Sequence, residues 1–228
     1  MSIPQILVFD FDSTIYPGES LDELIQFSLE GDSLLTQKSK QISEIGHQGM
    51  SGKISMTTSL EERLAIAAPN QKIIDNYINK NKKRIDKRWM NLLEDLQQFG
   101  HLTYVVSGGF EDWIRPMLEG IIPRKQIHAN RIIDKSKPMT IDNVEIRAKE
   151  QIIKELKLVD IVHTIVGDGA TDFSVYENLL AKKFIGAFFY TGIELRKNIA
   201  QKAQKNHQSI FSDFDLYFDY MRQEFLSK

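Results

Sequence analysis

The sequence predicts an α/β fold with a three-layer core, in which helices cover both faces of a parallel sheet. Three short apolar runs, at residues 6–9, 102–106 and 161–166, are each followed by small polar residues. Unbroken apolar runs of this length are typical of strands that are buried on both faces. Apolar residues at helical spacing occupy much of the sequence between these runs, and strands that alternate with helices form one sheet. We therefore expect the polar ends of the three strands to meet at one edge.

The composition is that of an ordinary soluble globular protein. Among the 228 residues, 42% are hydrophobic and 26% are charged, and the formal net charge is −2. This charge creates no overall field that would draw the protein to nucleic acid or to an acidic membrane. The absence of cysteine excludes a disulfide framework and a thiolate metal site. The first residues lack the pattern of a secretory signal, so we expect a cytoplasmic protein without a membrane partner.

A long helical segment is predicted between the first two strands. Capping-box patterns indicate helices that begin near Ser20 and Thr58, and further helices are expected after Asp32 and over residues 73–85. The glycine-rich stretch 46–53 predicts a loop. No strand is predicted in this segment, which is far longer than an ordinary crossover. The predicted domains are a helical cap inserted after strand 1, residues 16–86, and an α/β core, residues 1–15 and 87–228.

The remainder of the chain alternates between helical and strand patterns. The glycines that follow Ser107 are expected at a strand-to-helix turn, where backbone N–H groups point into the space above the strand. The polar stretch 134–143 predicts a small hairpin or flap. The other predicted elements are helices around residues 89–96, 110–118, 149–157 and 214–221, and strands at 127–133 and 184–189.

Basic residues cluster near the end of the helical segment and allow two interpretations. They lie at positions 80, 82, 83, 84, 87 and 88. One interpretation is a nucleic-acid patch, and the other is a solvated helix face. We favour the second because no aromatic or glycine residues are interleaved for base stacking and the chain as a whole is not basic. No nucleic-acid partner is therefore expected.

The shared strand edge is expected to carry four carboxylates, a hydroxyl and a lysine: Asp10, Asp12, Asp168, Asp172, Ser107 and Lys149. Carboxylate oxygens suit Mg²⁺, whereas a lysine, a hydroxyl and backbone amides suit a phosphoryl group. A carboxylate can itself attack phosphorus. The alternative interpretation makes Asp10 and Asp12 turn or cap residues and Lys149 a solvated helix lysine. These residue types favour phosphoryl transfer through an aspartate.

Four motifs in this order resemble those of the haloacid dehalogenase superfamily, and within it the phosphoserine phosphatase family. They are Asp10-Phe11-Asp12-Ser13-Thr14, Ser107-Gly108-Gly109-Phe110, Lys149 and Gly167-Asp168-Gly169-Ala170-Thr171-Asp172. The resemblance runs from about residue 5 to about residue 190. It implies a Rossmann-like core and catalysis in which Asp10 is the nucleophile and Asp12 is the general acid and base.

The resemblance also implies how metal and phosphate are held. Mg²⁺ would bind Asp10, the backbone carbonyl of Asp12 and Asp168. Asp172 and Thr171 would orient the metal ligands or water. The phosphoryl oxygens would be held by Ser107, Gly108 and Lys149. The five histidines show no metal-ligand spacing.

The choice of substrate depends on the helical segment. Phosphoserine carries an ammonium and a carboxylate, so its pocket needs an acid and, for a two-pronged grip of the carboxylate, an arginine. By resemblance, Glu19 would bind the ammonium and Arg63 the carboxylate, while Met50 and Gly109 would contact the substrate. The alternative interpretation of Glu19 and Arg63 is ordinary surface charge. Pro17 and Gly18 depart from the polar residues that usually precede this glutamate, which leaves the fit of the substrate open.

The function implied is Mg²⁺-dependent hydrolysis of O-phospho-L-serine, and the partner is a small phosphorylated metabolite. The sequence leaves open the same chemistry on another small phosphate, including transfer to homoserine instead of water. It also leaves open a non-catalytic module that is phosphorylated on aspartate. That module is disfavoured because the acidic cluster recurs after a late strand and a helical insertion encloses the site. The sequence makes no prediction of oligomeric state.

Overall fold

A computed structural model describes residues 4–50, 53–179 and 181–227, with Met50 described by its backbone only. The strands of this part of the chain are β1 (Ile6–Phe9), β2 (Leu102–Phe110), β3 (Ile127–Ile132), β4 (Val144–Glu145), β5 (Val162–Gly167), β6 (Lys183–Ala187) and β7 (Ser209–Phe211). The helices are α1 (Ser20–Phe27), α2 (Leu35–Met50), α3 (Met56–Ile66), α4 (Gln71–Asn81), α5 (Lys87–Gln98), α6 (Glu111–Met117), α7 (Lys149–Glu155), α8 (Ala170–Asn178), α9 (Lys197–Lys205) and α10 (Phe214–Phe225).

The strands form one sheet in the order β4-β3-β2-β1-β5-β6-β7. All neighbours are parallel except β3 and β4, which pair antiparallel as a hairpin. The α/β fold is therefore confirmed, with an antiparallel strand added at one edge. In the centre, Phe9 of β1 pairs with Val105 of β2 and with Val166 of β5. The carboxyl ends of these three strands thus meet at one place, as their apolar runs predict.

Alternate residues of β1 face the two layers of helices. Leu7 and Phe9 belong to a large buried cluster that includes residues of α5, α6 and α10. Val8 belongs to a second cluster on the opposite face, with residues of α7, α8 and α9. The ring of Trp89 on α5 packs edge-on against Phe9, at 6.0 Å between centroids. The strand is covered on both faces, and this explains why its sequence shows no polar alternation.

Helices α1 to α4 fill the segment between β1 and β2, and no strand lies among its described residues from 20 to 86. Both predicted helix starts are close to the observed ones, but the predicted capping residues are wrong. Helix α1 begins at Ser20 with Glu19 as its N-cap residue, and the Ser20 hydroxyl instead accepts a 2.8 Å hydrogen bond from Trp113 Nε1. Helix α3 begins before Thr58, since the Ser55 hydroxyl caps it by accepting from the Thr58 N–H over 2.9 Å.

The loop predicted at residues 46–53 is wrong for residues 46–50, which continue helix α2. Gly49 has a packing role there, because a Cβ at this position would lie 2.7 Å from the Cβ of Ser59 on α3. The glycine lets the two helices approach closely, and it does not mark a turn. Ser51 and Gly52, the next two residues of the predicted loop, lie outside the described residues.

Strand β2 is longer than its apolar run. It continues through Ser107 to Phe110, so the glycines lie within its extended end and not in a turn. Pairing with β3 is irregular there: Val106 pairs with His128, and the next paired residue is Phe110 with Asn130. The sequence patterns also missed α9 and β7, which add the last parallel strand to the sheet.

Three of the six basic residues at the end of the helical segment form ion pairs with described residues. Arg84 pairs with Glu23 at 2.6 Å and Lys80 with Glu30 at 2.8 Å. Arg88 contacts Asp86 and Asp215, each at 2.7 Å. These pairs agree with the interpretation of a solvated helix face. In the described residues we find no helix with the length and apolar character that a membrane span needs.

Candidate active site

Asp10 lies at the carboxyl end of the central strand, where β1 meets β5. Its backbone N–H donates to the carbonyl of Val166 over 2.8 Å, and the residue is buried. Three carboxylate oxygens lie within 4.8 Å of one another there, one from each of Asp10, Asp168 and Asp172. Asp168 follows β5, and Asp172 belongs to the first turn of α8. The structure thus brings together three of the four carboxylates that the sequence predicts at this edge.

Lys149 places its ammonium between two of these carboxylates. It is the first residue of α7, and its Nζ lies 2.7 Å from Oδ1 of Asp10 and 2.7 Å from Oδ1 of Asp172. Only 10% of the side chain is exposed, which rules out a solvated helix lysine. Burial lowers the pKa of Lys149, but the two carboxylates outweigh this effect and raise that pKa above its usual value. The lysine therefore stays protonated.

A glycine at the end of β5 allows Asp172 to reach the cluster. A Cβ on Gly167 would lie 2.6 Å from the Cβ of Asp172, so the aspartate packs directly over bare backbone. Its Oδ2 also accepts a 3.1 Å hydrogen bond from the Gly169 N–H. With one oxygen on Lys149 and the other on this N–H, the carboxylate of Asp172 is fixed in orientation.

The cluster holds more negative charge than its protein partners neutralise. Burial, and after it the Asp172 carboxylate, raise the pKa of Asp10 well above its usual value, against the opposing effect of Lys149. Burial likewise raises the pKa of Asp168 to about 6, although Arg196 opposes the shift. Since crowded, buried carboxylates resist ionisation, a cation brought among them would be bound favourably.

Asp12 lies beside the three-carboxylate cluster and contributes no oxygen to it. Its Oδ1 accepts a 2.9 Å hydrogen bond from the Ser20 N–H. A Cβ on Gly109 would lie 3.1 Å from its Oδ2, so this oxygen sits against the extended end of β2. Burial, and after it the charge of Glu19, raise the pKa of Asp12 to about 7. An acid with this pKa can both give and accept a proton near neutral pH.

Ser107 is fully buried at the extended end of β2. Its Oγ accepts a 3.0 Å hydrogen bond from the Gly109 N–H and would lie 3.3 Å from a Cβ on that glycine. Gly108 is exposed, and its carbonyl accepts a 2.7 Å hydrogen bond from Asn130 Nδ2. The serine hydroxyl and the two glycines thus line the edge of the sheet next to Asp12.

Arg196 is part of the site, although the sequence patterns did not indicate it. It precedes α9 and donates from Nε to Oδ2 of Asp168 over 2.9 Å. Its Nη2 forms an ion pair with the same oxygen at 2.8 Å. The arginine also lies 4.0 Å from Oε1 of Glu19. Arg196 and Lys149 therefore supply two cations for the three buried carboxylates.

Glu19 and Thr171 lie at the exposed rim of the site. The Glu19 side chain is 56% exposed, and its Oε1 accepts a 2.8 Å hydrogen bond from the Ser13 hydroxyl. Its charge raises the pKa of both Asp12 and Asp168, which places it near these two acids. Thr171 is exposed on the first turn of α8. Glu19 is therefore available to a ligand above the strand ends.

Arg63 lies on α3, where its side chain is only 6% exposed. It pairs with Asp22 of α1 and donates from Nε to the Ser59 carbonyl over 3.1 Å. In the described part of the chain, no hydrogen bond or ion pair joins Arg63 to the strand-end carboxylates or to Lys149. The interpretation of Arg63 as an ordinary surface charge is wrong, since the guanidinium is buried. The side chain of Met50 lies outside the described residues.

The donor set fits a hard divalent cation. Its three carboxylates are buried and close enough to share one ion, and oxygen ligands of this kind are those that Mg²⁺ takes in proteins. Two carboxylate oxygens of the cluster accept no hydrogen bond from the described residues. They are Oδ2 of Asp10 and Oδ1 of Asp168. These two oxygens are available to a metal, while Asp172 is held by Lys149 and backbone.

The arrangement as a whole can perform phosphoryl transfer. Four groups meet at the ends of the three parallel strands. They are a carboxylate that can act as a nucleophile, a neighbouring acid whose pKa is about 7, a buried ammonium and a site for a cation. Such groups stabilise the charge of a transferring phosphoryl group and can also form a covalent intermediate on the carboxylate.

Comparisons with known proteins agree with this geometry. A family model described as haloacid dehalogenase-like hydrolase matches residues 7–177. The chloroplastic phosphoserine phosphatase of Arabidopsis thaliana is 28% identical over 210 residues, which cover 87% of this chain and 67% of the relative. The phosphoserine phosphatase of Drosophila melanogaster is 28% identical over 211 residues, 88% of this chain and 73% of the relative. A solved phosphoserine phosphohydrolase-like protein from Francisella tularensis superposes with a TM-score of 0.71 at 29% identity, covering 92% of this chain and 96% of that one.

Proposed function

The chain belongs to the haloacid dehalogenase-like hydrolase family, and we propose that it is a Mg²⁺-dependent phosphatase that hydrolyses O-phospho-L-serine to serine and phosphate. The observation that carries the proposal is the contact of Lys149 with Asp10 and Asp172 at the end of the central strand. This contact supports the proposal because a phosphatase of this kind needs a cation for the phosphoryl group beside its carboxylate nucleophile. The phosphoserine phosphatases among the relatives support the choice of substrate.

In the proposed reaction, Asp10 attacks the phosphorus. One of its oxygens is held by the Phe11 N–H at 2.8 Å and by Lys149, so the carboxylate is oriented before the substrate arrives. As the bond between Asp10 and phosphorus forms, the bond from phosphorus to the serine oxygen breaks. In this proposal Lys149 would neutralise the charge of the phosphoryl oxygens, and the Ser107 hydroxyl would position them.

Asp12 serves both halves of the reaction. Because its pKa is about 7, the protonated acid can give its proton to the departing serine oxygen. The resulting carboxylate can then take a proton from water, which attacks the phosphorus and breaks the bond to Asp10. This return step regenerates both aspartates and releases phosphate.

The cation is assigned to the three-carboxylate cluster. Asp10 and Asp168 would hold Mg²⁺ through their available oxygens, together with the Asp12 backbone carbonyl, and Asp172 and Thr171 would orient ligands or water. When bound, the ion would supply positive charge for the phosphoryl oxygens.

The substrate end of the pocket is assigned to the predicted cap, residues 16–86. Glu19 is exposed beside Asp12 and can accept the ammonium of phosphoserine. Arg63 would bind the carboxylate, with Met50 and Gly109 as further contacts. Since Glu19 is the N-cap residue of α1 and Arg63 lies on α3, the helical segment would select the substrate while the strand ends would perform the chemistry. The location in the cytoplasm stays a prediction.

Asp10→Asn tests the nucleophile. The amide cannot form the phosphoryl-enzyme, so we expect release of phosphate from phosphoserine in Mg²⁺ to fall by at least about a thousandfold. Glu62→Gln, which removes an exposed carboxylate on α3, is the matched control and should keep wild-type activity. Retention of wild-type kcat/KM in Asp10→Asn would refute the nucleophile assignment. A panel of small phosphate esters, compared by kcat/KM, tests the substrate.

A further inference from the structure

The guanidinium of Arg63 is already occupied by partners within the protein. Its Nε donates to the Ser59 carbonyl over 3.1 Å, and its Nη1 pairs with Oδ1 of Asp22. The arginine side chain is 6% exposed, whereas that of Asp22 is 49% exposed. The cation is therefore held in place, while its carboxylate partner is free to move into solvent.

This occupancy conflicts with a two-pronged grip of a substrate carboxylate. A guanidinium presents two edges that offer a pair of N–H groups, one formed by Nε with Nη2 and the other by Nη1 with Nη2. The Ser59 carbonyl accepts from Nε, which belongs to one edge, and Asp22 accepts from Nη1, which belongs to the other. A substrate carboxylate that binds Nη1 and Nη2 therefore meets the negative charge of Asp22 at Nη1.

Asp22 is the partner that can leave. The Ser59 carbonyl belongs to the backbone of α3 and is fixed by that helix. The Asp22 side chain is half exposed, so its carboxylate can turn to water without leaving a buried charge unpaired. The incoming carboxylate would replace one negative partner of Arg63 by another.

We propose that Asp22 is a specificity-determining residue, an internal carboxylate that occupies Arg63 until a carboxylate of the substrate displaces it. This inference rests on the proposed function, since it assigns Arg63 to the carboxylate of phosphoserine. Asp22 then weakens the binding of every ester that carries a carboxylate, because each must compete with it. Esters without a carboxylate do not enter this competition.

Asp22→Asn tests the proposal with two matched esters, O-phospho-L-serine and O-phosphoethanolamine. Both carry a phosphate and an ammonium, and only the first carries a carboxylate. Loss of the internal charge should raise the ratio of their kcat/KM values, phosphoserine over phosphoethanolamine, by about tenfold, as expected for the loss of a charged competitor. Asp22→Ser should change the ratio in the same direction, and Glu62→Gln on α3 should leave it at the wild-type value.

A lower ratio in Asp22→Asn would mean that Asp22 orients Arg63 for the substrate, and an unchanged ratio would mean that the two carboxylates do not compete. Either result overturns the proposal. If the wild-type protein hydrolyses neither ester, the proposed function fails, and the same ratio measured from calorimetric dissociation constants then decides the role of Asp22. Binding of neither ester would overturn both proposals.

Discussion

Arg196 gives the strand-end site its second cation. Nε and Nη2 both contact the same oxygen of Asp168, which orients that carboxylate and leaves its Oδ1 without a protein donor among the described residues. Its side chain is 32% exposed, whereas that of Asp168 is 4% exposed, so the arginine approaches from the rim. Arg196 therefore stabilises the charged form of a buried acid at the place assigned to the metal.

Arg196→Gln is predicted to destabilise the metal-free protein in a manner that depends on pH. The pKa of Asp168 is raised from 3.8 to about 6, so its contribution to stability is present at low pH and is lost as the pH rises through about 6. Arg196 limits this loss by stabilising the carboxylate. We expect the variant to lose about 2 kcal/mol of unfolding free energy at pH 8, and less at pH 5, in denaturant titrations with EDTA.

Mg²⁺ should reduce the deficit of Arg196→Gln, because the bound ion supplies positive charge to the same carboxylates. Arg222→Gln is the control, since Arg222 and Asp219 form an exposed pair at 3.5 Å, and it should change the unfolding free energy by less than about 0.5 kcal/mol at either pH. A deficit for Arg196→Gln that is equal at pH 5 and pH 8 would show that Asp168 is not the group concerned.

Among the residues of the site, the sequence predicted the aspartates that directly follow strands but missed Arg196. Asp10 and Asp168 could be placed because parallel strands bring their carboxyl ends to one edge. Arg196 follows the turn after β6 and is the N-cap residue of α9, a helix that begins without a side-chain capping hydrogen bond. Its contact with Asp168 depends on the path of that connection, which periodicity does not determine. The pairing of Arg63 with Asp22 likewise depends on how α1 packs against α3.

Helices α2 and α3 show how packing overrides a local signal. Two glycines near the end of α2 suggest a loop by composition, yet both lie in the helix. Gly49 faces Ser59 across the interface, and a Cβ there would lie 2.7 Å from the serine Cβ. Gly46 has no atom within 4 Å of its would-be Cβ. The same residue type is thus required at one position and merely tolerated at the other.

Substitution of each glycine by alanine should have opposite effects on stability. Gly49→Ala forces α2 and α3 apart and should lower the unfolding free energy by about 1–3 kcal/mol. Gly46→Ala adds no clash and reduces the freedom of the unfolded chain, so it should raise the unfolding free energy by about 0.5–1 kcal/mol. Chemical denaturation of the two variants checks the pair. Equal effects of the two substitutions would contradict the packing role assigned to Gly49.

The sequence predicts a helix correctly where apolar residues recur regularly at helical spacing. Helix α5 is an example, and its buried residues are Trp89, Leu92, Leu93 and Leu96. The bounds were less predictable. Strand β2 extends beyond its apolar run because β3 supplies a second partner at Phe110. Strand β7 has three half-buried residues at the edge of the sheet, too few for a period to be detected.

In the whole molecule, a polar network ties together the two connections between the helical segment and the sheet. Glu23 on α1 accepts hydrogen bonds from the Tyr16 hydroxyl at 2.5 Å and the Tyr77 hydroxyl at 3.0 Å. Arg84 donates to both oxygens of Glu23 and to the Pro17 carbonyl. Tyr16 and Pro17 precede α1, whereas Arg84 follows α4. The network therefore joins the segment by which the chain enters the predicted cap to the segment by which it leaves.

Arg84→Gln should loosen this junction without disturbing the sheet. The loss of charged hydrogen bonds to Glu23 should lower stability by about 1–3 kcal/mol. The loss should be local because the buried cluster on one face of the sheet contains no residue of the helical segment. We expect faster amide hydrogen exchange in α1 and α4, with unchanged exchange in β1 and β5. Lys80→Gln, which breaks a pair whose side chains are 58% and 57% exposed, should leave exchange unaltered. Uniformly faster exchange in helices and strands alike would show that the helical segment and the sheet open as one cooperative unit, and would refute their division into a cap and a core.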